Sequence, residues 1–156
     1  MDFVDRVIAR EGGAKVTNYS ADPGGVTKYG ISQRAHPDKD VRNLSYEDAR
    51  NIYLDEYFHA PRLGKLNDGK LQELLFDYGV HSGPATAVRT LQKLLGVPLT
   101  GAVDDQTAHA ANTRQGDELR HRVIEQRILF LARQVVAKPT KLMFLVGWLN
   151  RVLSFL

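Results

Sequence analysis

The sequence contains no cysteine. That excludes disulfides and thiolate metal sites, and it fits synthesis in a reducing compartment without requiring it. There is no Lys/Arg tract, no zinc-finger spacing and no aromatic RNA-binding motif, so nucleic acid is not an expected partner. The opening stretch MDFVDRVIAR has an acid at position 2 and no apolar run of secretory length. A removable signal peptide is therefore not expected, and synthesis in the cytoplasm is. No internal repeat or low-complexity tract is visible. The most apolar stretch, TKLMFLVGWLNRVLSFL at 140–156, is interrupted by Lys141, Asn150 and Arg151. It is too short and too charged to span a bilayer, so it is expected to be a buried core helix, with contact at a membrane surface as the minor alternative.

What is present describes an ordinary globular chain. Its 156 residues suffice for one cooperative domain around a single core, and 43% hydrophobic with 25% charged residues indicates neither disorder nor a fibre. A net charge of +3 and a pI near 9.2 favour an anionic partner, such as a membrane surface or a bacterial cell wall.

The periodicity predicts a mainly α chain with one small β element. Phe3, Val4, Val7 and Ile8 form the apolar stripe of a short helix that Asp2 can cap and that Gly12-Gly13 must end. Across 14–32, strand-forming Val16, Tyr19, Val26, Tyr29 and Ile31 are broken by the turn ADPGG, which predicts a short β-ribbon. Ser45 and Asp48 form a capping box for a helix carrying Ala49, Ile52, Tyr53 and Tyr57 on one face, and Pro61 ends that segment. Leu71, Leu74, Leu75 and Tyr78 predict a helix that stops at Gly83, and Pro84 starts the next, which runs to Gly96. A short helix capped by Asp104 or Asp105 should end about Asn112, and Leu119 to Val136 should be a long one with Val123, Arg127 and Phe130 on one face.

Glu11 stands where the first helix breaks. The carbonyls of a helix C-terminus disfavour an ionised carboxylate there, and an acid that holds its proton is what a general acid requires. Two readings stay open: a general acid, or an ordinary exposed glutamate at a helix end. Asp22 lies in DPGG, a good turn sequence on its own merits, with Thr27 beyond it. A protonated glutamate facing an aspartate and a hydroxyl is also the equipment for glycosidic cleavage.

The run EGG followed by DPGGVTKYGIS resembles the opening of the N-acetylmuramidases of glycoside hydrolase family 108. IYLDEYF at 52–58, FDYGVHSGPATAVRTLQKLLG at 76–96, TGAVDDQT and VGWLNRV at 146–152 resemble later motifs of the same family, in order. The resemblance implies an α+β lysozyme-like fold in a single domain, with a catalytic part at 1–65 and a helical, peptidoglycan-binding-like part at 66–156. It implies cleavage of the β-1,4 bond between N-acetylmuramic acid and N-acetylglucosamine in peptidoglycan, as in phage endolysins. Glu11 matches the essential acid, and Asp22 and Thr27 match the positions of its partners. Tyr29, His81 and Ser82 are expected substrate contacts. Neither a cofactor nor a metal is implied, and a monomer acting on the wall in the periplasm or outside is expected. Two positions depart from the family pattern: Ala14 replaces an aromatic residue, and His81 an asparagine. His81 is expected to titrate near neutrality and to make activity pH-dependent. The competing readings are a lytic transglycosylase and a non-catalytic peptidoglycan-binding protein.

Overall fold

Helix α1 (Phe3–Arg10) starts where the Asp2 carboxylate accepts the amides of Val4 at 2.8 Å and Asp5 at 3.1 Å, and the Asp5 carboxylate accepts the amide of Asp2 in return. Such a cap is worth about 1 kcal/mol. Val4, Val7 and Ile8 are buried. The helix ends in a Schellman motif, with Gly12 N–H on Ala9 O and Gly13 N–H on Ile8 O, both glycines at positive φ. The computed structural model describes residues 2–18 and 25–156.

The ribbon is an antiparallel pair, β1 (Thr27–Lys28) and β2 (Ile31–Ser32), with Thr27 opposite Ser32 and Lys28 opposite Ile31. Thr17 adds an isolated bridge to Thr27. Its hairpin turn is Tyr29-Gly30, at φ +54° and +78°, the sign pattern of a type I′ turn. The ADPGG turn expected from sequence lies, but for Gly25, outside the described residues. Helix α2 (Tyr46–Leu54) has the Ser45–Asp48 capping box and buries Ala49, Ile52 and Tyr53; a π-helical turn, Asp55–His59, follows it.

The chain forms two compact units, Met1–Glu56 and Tyr57–Leu156. The second is helical. Helices α3 (Gly69–Ser82) and α4 (Pro84–Leu95) meet at Gly83, whose φ of +93° allows the reversal, and Pro84 supplies a first helical residue that needs no amide donor. Asp104 caps α5 (Asp105–Asn112), and α6 (Gly116–Ala137) and α7 (Leu142–Leu153) complete the unit. Leu71, Leu74, Leu75, Phe76, Val88, Leu91, Val123 and Leu131 are buried in it, each contributing about 1.5–3 kcal/mol. The described residues thus form a mainly α architecture with one small β-ribbon, the class the sequence predicts.

Two features of the second unit organise its core, and the second departs from what periodicity suggested. Arg127, on the inward face of α6, is fully buried and donates to Asp77 at 2.7 Å, while Arg151 Nε lies 3.0 Å from both Asp77 oxygens. The second concerns α7, expected as a core helix. It docks through its C-terminal half, with Val152 buried, Arg151 on Asp77 and Trp148 edge-on to His81, but Leu142, Met143, Phe144 and Val146 are exposed. Burial of a whole helix needs neighbours on most sides, and α7 has them only where Trp148, Arg151 and Val152 share one face.

Candidate active site

Glu11 is the C-cap of α1, half-buried, its amide donating to Val7 O at 3.0 Å. The C-terminal glycine motif turns the chain back so that Gly13 O accepts the amide of Tyr29 at 3.0 Å. That one bond brings the ribbon's turn onto the helix end. The fit there is close: a Cβ added at Gly30 would stand 2.7 Å from Glu11 Cβ and 2.7 Å from the Tyr53 hydroxyl. Only glycine satisfies both that space and a φ of +78°. From α2, the Tyr53 hydroxyl donates to Tyr29 O at 2.9 Å in a buried setting, so the turn is clamped from two sides. Tyr29 itself holds a left-handed φ, a conformation that costs a non-glycine residue about 1–3 kcal/mol and persists where surrounding contacts enforce it.

Of the residues expected at the site, Glu11 packs against this turn, Tyr29 is part of it and Thr27 lies on the strand that enters it. Thr27 begins the strand that leads into it, its amide on Thr17 O at 2.8 Å and its hydroxyl 3.5 Å from Gly25 O. Lys28 donates to Leu44 O at 2.7 Å and tethers the same strand to the chain before α2. Tyr29 is 8% exposed, with its ring edge-on to Tyr46 at 5.9 Å. It positions the turn through its backbone and leaves little ring surface for a sugar. Asp22 lies outside the described residues. Gly30 and Tyr53 were not singled out from sequence as site residues. Their signal was present: Tyr-Gly between two strand-forming pairs is turn chemistry of the Asn-Gly kind, and Tyr53 carries a polar tip on an apolar face. A nearby cavity of about 400 Å³, lined by Lys39, Asp40, Asn43, Asp48 and Asn51, does not include Glu11.

His81 and Ser82 belong to the second unit, at the end of α3. Both line a cavity of about 270 Å³ with Phe130, Gln134, Lys141 and Trp148. Burial, with the charges of Arg127 and Arg151, pushes the His81 pKa down to about 4. The expectation that it titrates near neutrality is thus corrected: at pH 7 His81 is neutral, and its buried Nδ1 has no hydrogen-bond partner among the described residues. Beside it, burial alone would push the Asp77 carboxyl up, but the Arg151 hydrogen bonds and the Arg127 charge outweigh burial and hold it below the usual carboxylate range. Another buried polar centre organises the LQKLLG…TGAVDDQT stretch. Gln92 donates to Thr100 Oγ1, Ala102 O and Thr107 Oγ1 and accepts from Gly101 N–H, which folds residues 97–104 over α4. Among the described residues no group of His, Cys, Asp and Glu is arranged to hold a metal ion.

Comparison with known proteins gives the setting for this geometry. Residues 4–83 match the family Glycosyl hydrolase 108, and residues 86–153 match a family described as Predicted Peptidoglycan domain. Among solved structures, that of Brucella abortus SagA superposes with a TM-score of 0.79 at 28% identity, covering 97% of this chain and 87% of that one. No functionally curated protein matches the chain. With these matches the mainly helical architecture is lysozyme-like.

Proposed function

The chain belongs to the Glycosyl hydrolase 108 family and is a glycoside hydrolase acting on peptidoglycan, and from that premise we propose that Glu11 is its general acid in cleaving the β-1,4 bond between N-acetylmuramic acid and N-acetylglucosamine. The observation that carries the proposal is the fit of Gly30 against Glu11. A clamped turn with no room for a Cβ packs against the Cβ and backbone of Glu11, and the strand that leads into that turn begins at Thr27.

Glu11 donates its proton to the glycosidic oxygen as the bond to the anomeric carbon breaks, and water adds to that carbon. Asp22 stabilises or activates the water, and the Thr27 hydroxyl orients it. This division of labour, one carboxyl as acid and the other attending the nucleophile, is general for glycosidases. His81 and Ser82 are assigned as contacts for the chain of sugars or its peptides in the second unit, with His81 acting as a neutral hydrogen-bonding group. The activity is of the endolysin type, exerted on the wall after the protein leaves the cytoplasm.

Glu11→Gln tests the assignment on purified peptidoglycan. General acid catalysis contributes about 10²–10⁴-fold, so turbidity clearing should fall by that factor while the thermal melt stays unchanged. Unaltered clearing would remove Glu11 from the chemistry and give the role of general acid to another carboxyl. Mass spectrometry of the products separates hydrolysis from transglycosylation, because only the latter leaves anhydro-muramic ends.

A further inference from the structure

The corner where α6 turns into α7 presents apolar side chains to solvent with no acid near them in sequence. Val136 is 81% exposed, Leu142 61%, Met143 79% and Val146 70%. Leu142, Met143 and Val146 fall within one turn and a step of α7, so they share a side of the helix, and Val136 closes the last turn of α6. No Asp or Glu occurs from Gln126 to Leu156, whereas Arg133, Lys138 and Lys141 do. Arg133 and Lys138 are exposed, and Lys141 donates to Gln134 Oε1 at 2.6 Å, which holds its ammonium against α6. An exposed group of Val, Leu and Met rimmed by cations is the composition of a surface that lies in a lipid interface.

We propose that this corner docks on an anionic lipid bilayer, with Met143 and Val146 entering the headgroup region and Lys138 and Arg133 meeting lipid phosphates. Charge selects this occupant over a second copy of the chain. A two-fold contact through the same corner would bring two positively charged rims, each carrying Lys138 and Arg133, together, whereas an anionic surface attracts each of them. No helix among the described residues is long and apolar enough to cross a membrane, so the corner lies on the surface. Anchoring at the bilayer would keep a wall hydrolase next to the wall layer nearest that membrane. The docking does not depend on Glu11 or on the cleavage reaction, so it stands or falls apart from the proposed activity.

The full chain carries a single tryptophan, Trp148, half-exposed on α7 and stacked with Phe144 at 6.0 Å, which makes its fluorescence a local reporter. With vesicles of phosphatidylglycerol and phosphatidylethanolamine, the emission should shift to the blue and the protein should co-sediment; phosphatidylcholine vesicles should give neither. Raising salt from 50 to 500 mM should weaken binding roughly tenfold or more, since surface charges are screened. The double substitution Met143→Ser with Val146→Ser should weaken it roughly tenfold or more through lost apolar insertion. Lys138→Glu should weaken binding to the anionic vesicles while leaving clearing of purified peptidoglycan unchanged. Equal binding to both vesicle types, or binding that survives the double substitution, overturns the proposal. So does absence of vesicle binding together with dimerisation that the double substitution abolishes, which would make a second copy the occupant.

Discussion

Two carboxylates, one in each unit, are positioned by opposite means. Asp77 is fully buried and receives hydrogen bonds from Arg127 and Arg151, whereas Glu11 is half-buried at a helix end and pressed against the one residue type that leaves it room, Gly30. The first arrangement uses a carboxylate's charge to make two guanidinium groups tolerable inside a core, and the chemistry of that carboxylate is thereby spent. The second fixes the place of a side chain through backbone and shape while leaving part of it at the surface. Asp77 is thus committed to the core of the second unit, and Glu11, at a helix end against the turn, is the acid proposed above for the chemistry.

That contrast can be broken by exchanging the damage. Glu11→Gln should cost activity and not stability, as stated above. Asp77→Asn should do the reverse first, because it leaves Arg127 and Arg151 without their countercharge. Removing one partner of a buried ion pair costs about 3–5 kcal/mol, which for a chain of this size lowers Tm by roughly 10 °C or more. Differential scanning calorimetry would decide it, and a melt unchanged by Asp77→Asn would show that the carboxylate does not hold Arg127 and Arg151 in the core.

Gly30→Ala falls between the two. Its Cβ would contact Glu11 and Tyr53, and its φ is left-handed, so a stability loss of about 1–3 kcal/mol is expected. Because the displaced neighbour is Glu11, kcat/KM on peptidoglycan should also fall roughly 10- to 100-fold. Stability lost with activity intact would show that the turn does not place the acid.

A further effect concerns pH. His81 has a folded pKa of about 4 against an ordinary 6.5, so between those values the unfolded chain binds the proton and the folded one does not. Stability is fully present above pH 6.5 and declines as pH falls toward 4. The contribution of Asp77 has the other origin: its pKa is lowered from 3.8, so its stabilisation is present above that value and is lost only as pH falls further. Melts of the protein and of His81→Asn between pH 7 and 4 separate the two. The slope in that window should vanish in the variant, and a retained slope would assign it elsewhere.

Much of this was legible along the chain. The Asp2 and Ser45 caps, the Gly12-Gly13 stop and the Gly83-Pro84 joint act within a few residues, so the local string is enough to state them, while it left the cap of α5 between Asp104 and Asp105. The family motifs likewise pointed to Glu11 and to a mainly helical lysozyme-like fold before any contact was known. The turn at Tyr29-Gly30 was not read from the sequence, because it depends on Gly13 O and the Tyr53 hydroxyl, which lie just after α1 and on α2; the expected ADPGG turn lies, but for Gly25, outside the described residues. Arg127 read as one member of a helix face; that its face is buried is knowable only once Asp77 and Arg151 arrive beside it.

What the sequence by itself determined is therefore the set of helices, where they begin and stop, and which acid stands at the first break, since caps, glycines and apolar periodicity are short-range physics. Only the tertiary structure decided that Gly30 wedges against that acid, that His81 is desolvated into a neutral group, and that α7 buries half of itself. Each of these depends on which atoms from distant parts of the chain exclude water from a given place, and no local pattern encodes that.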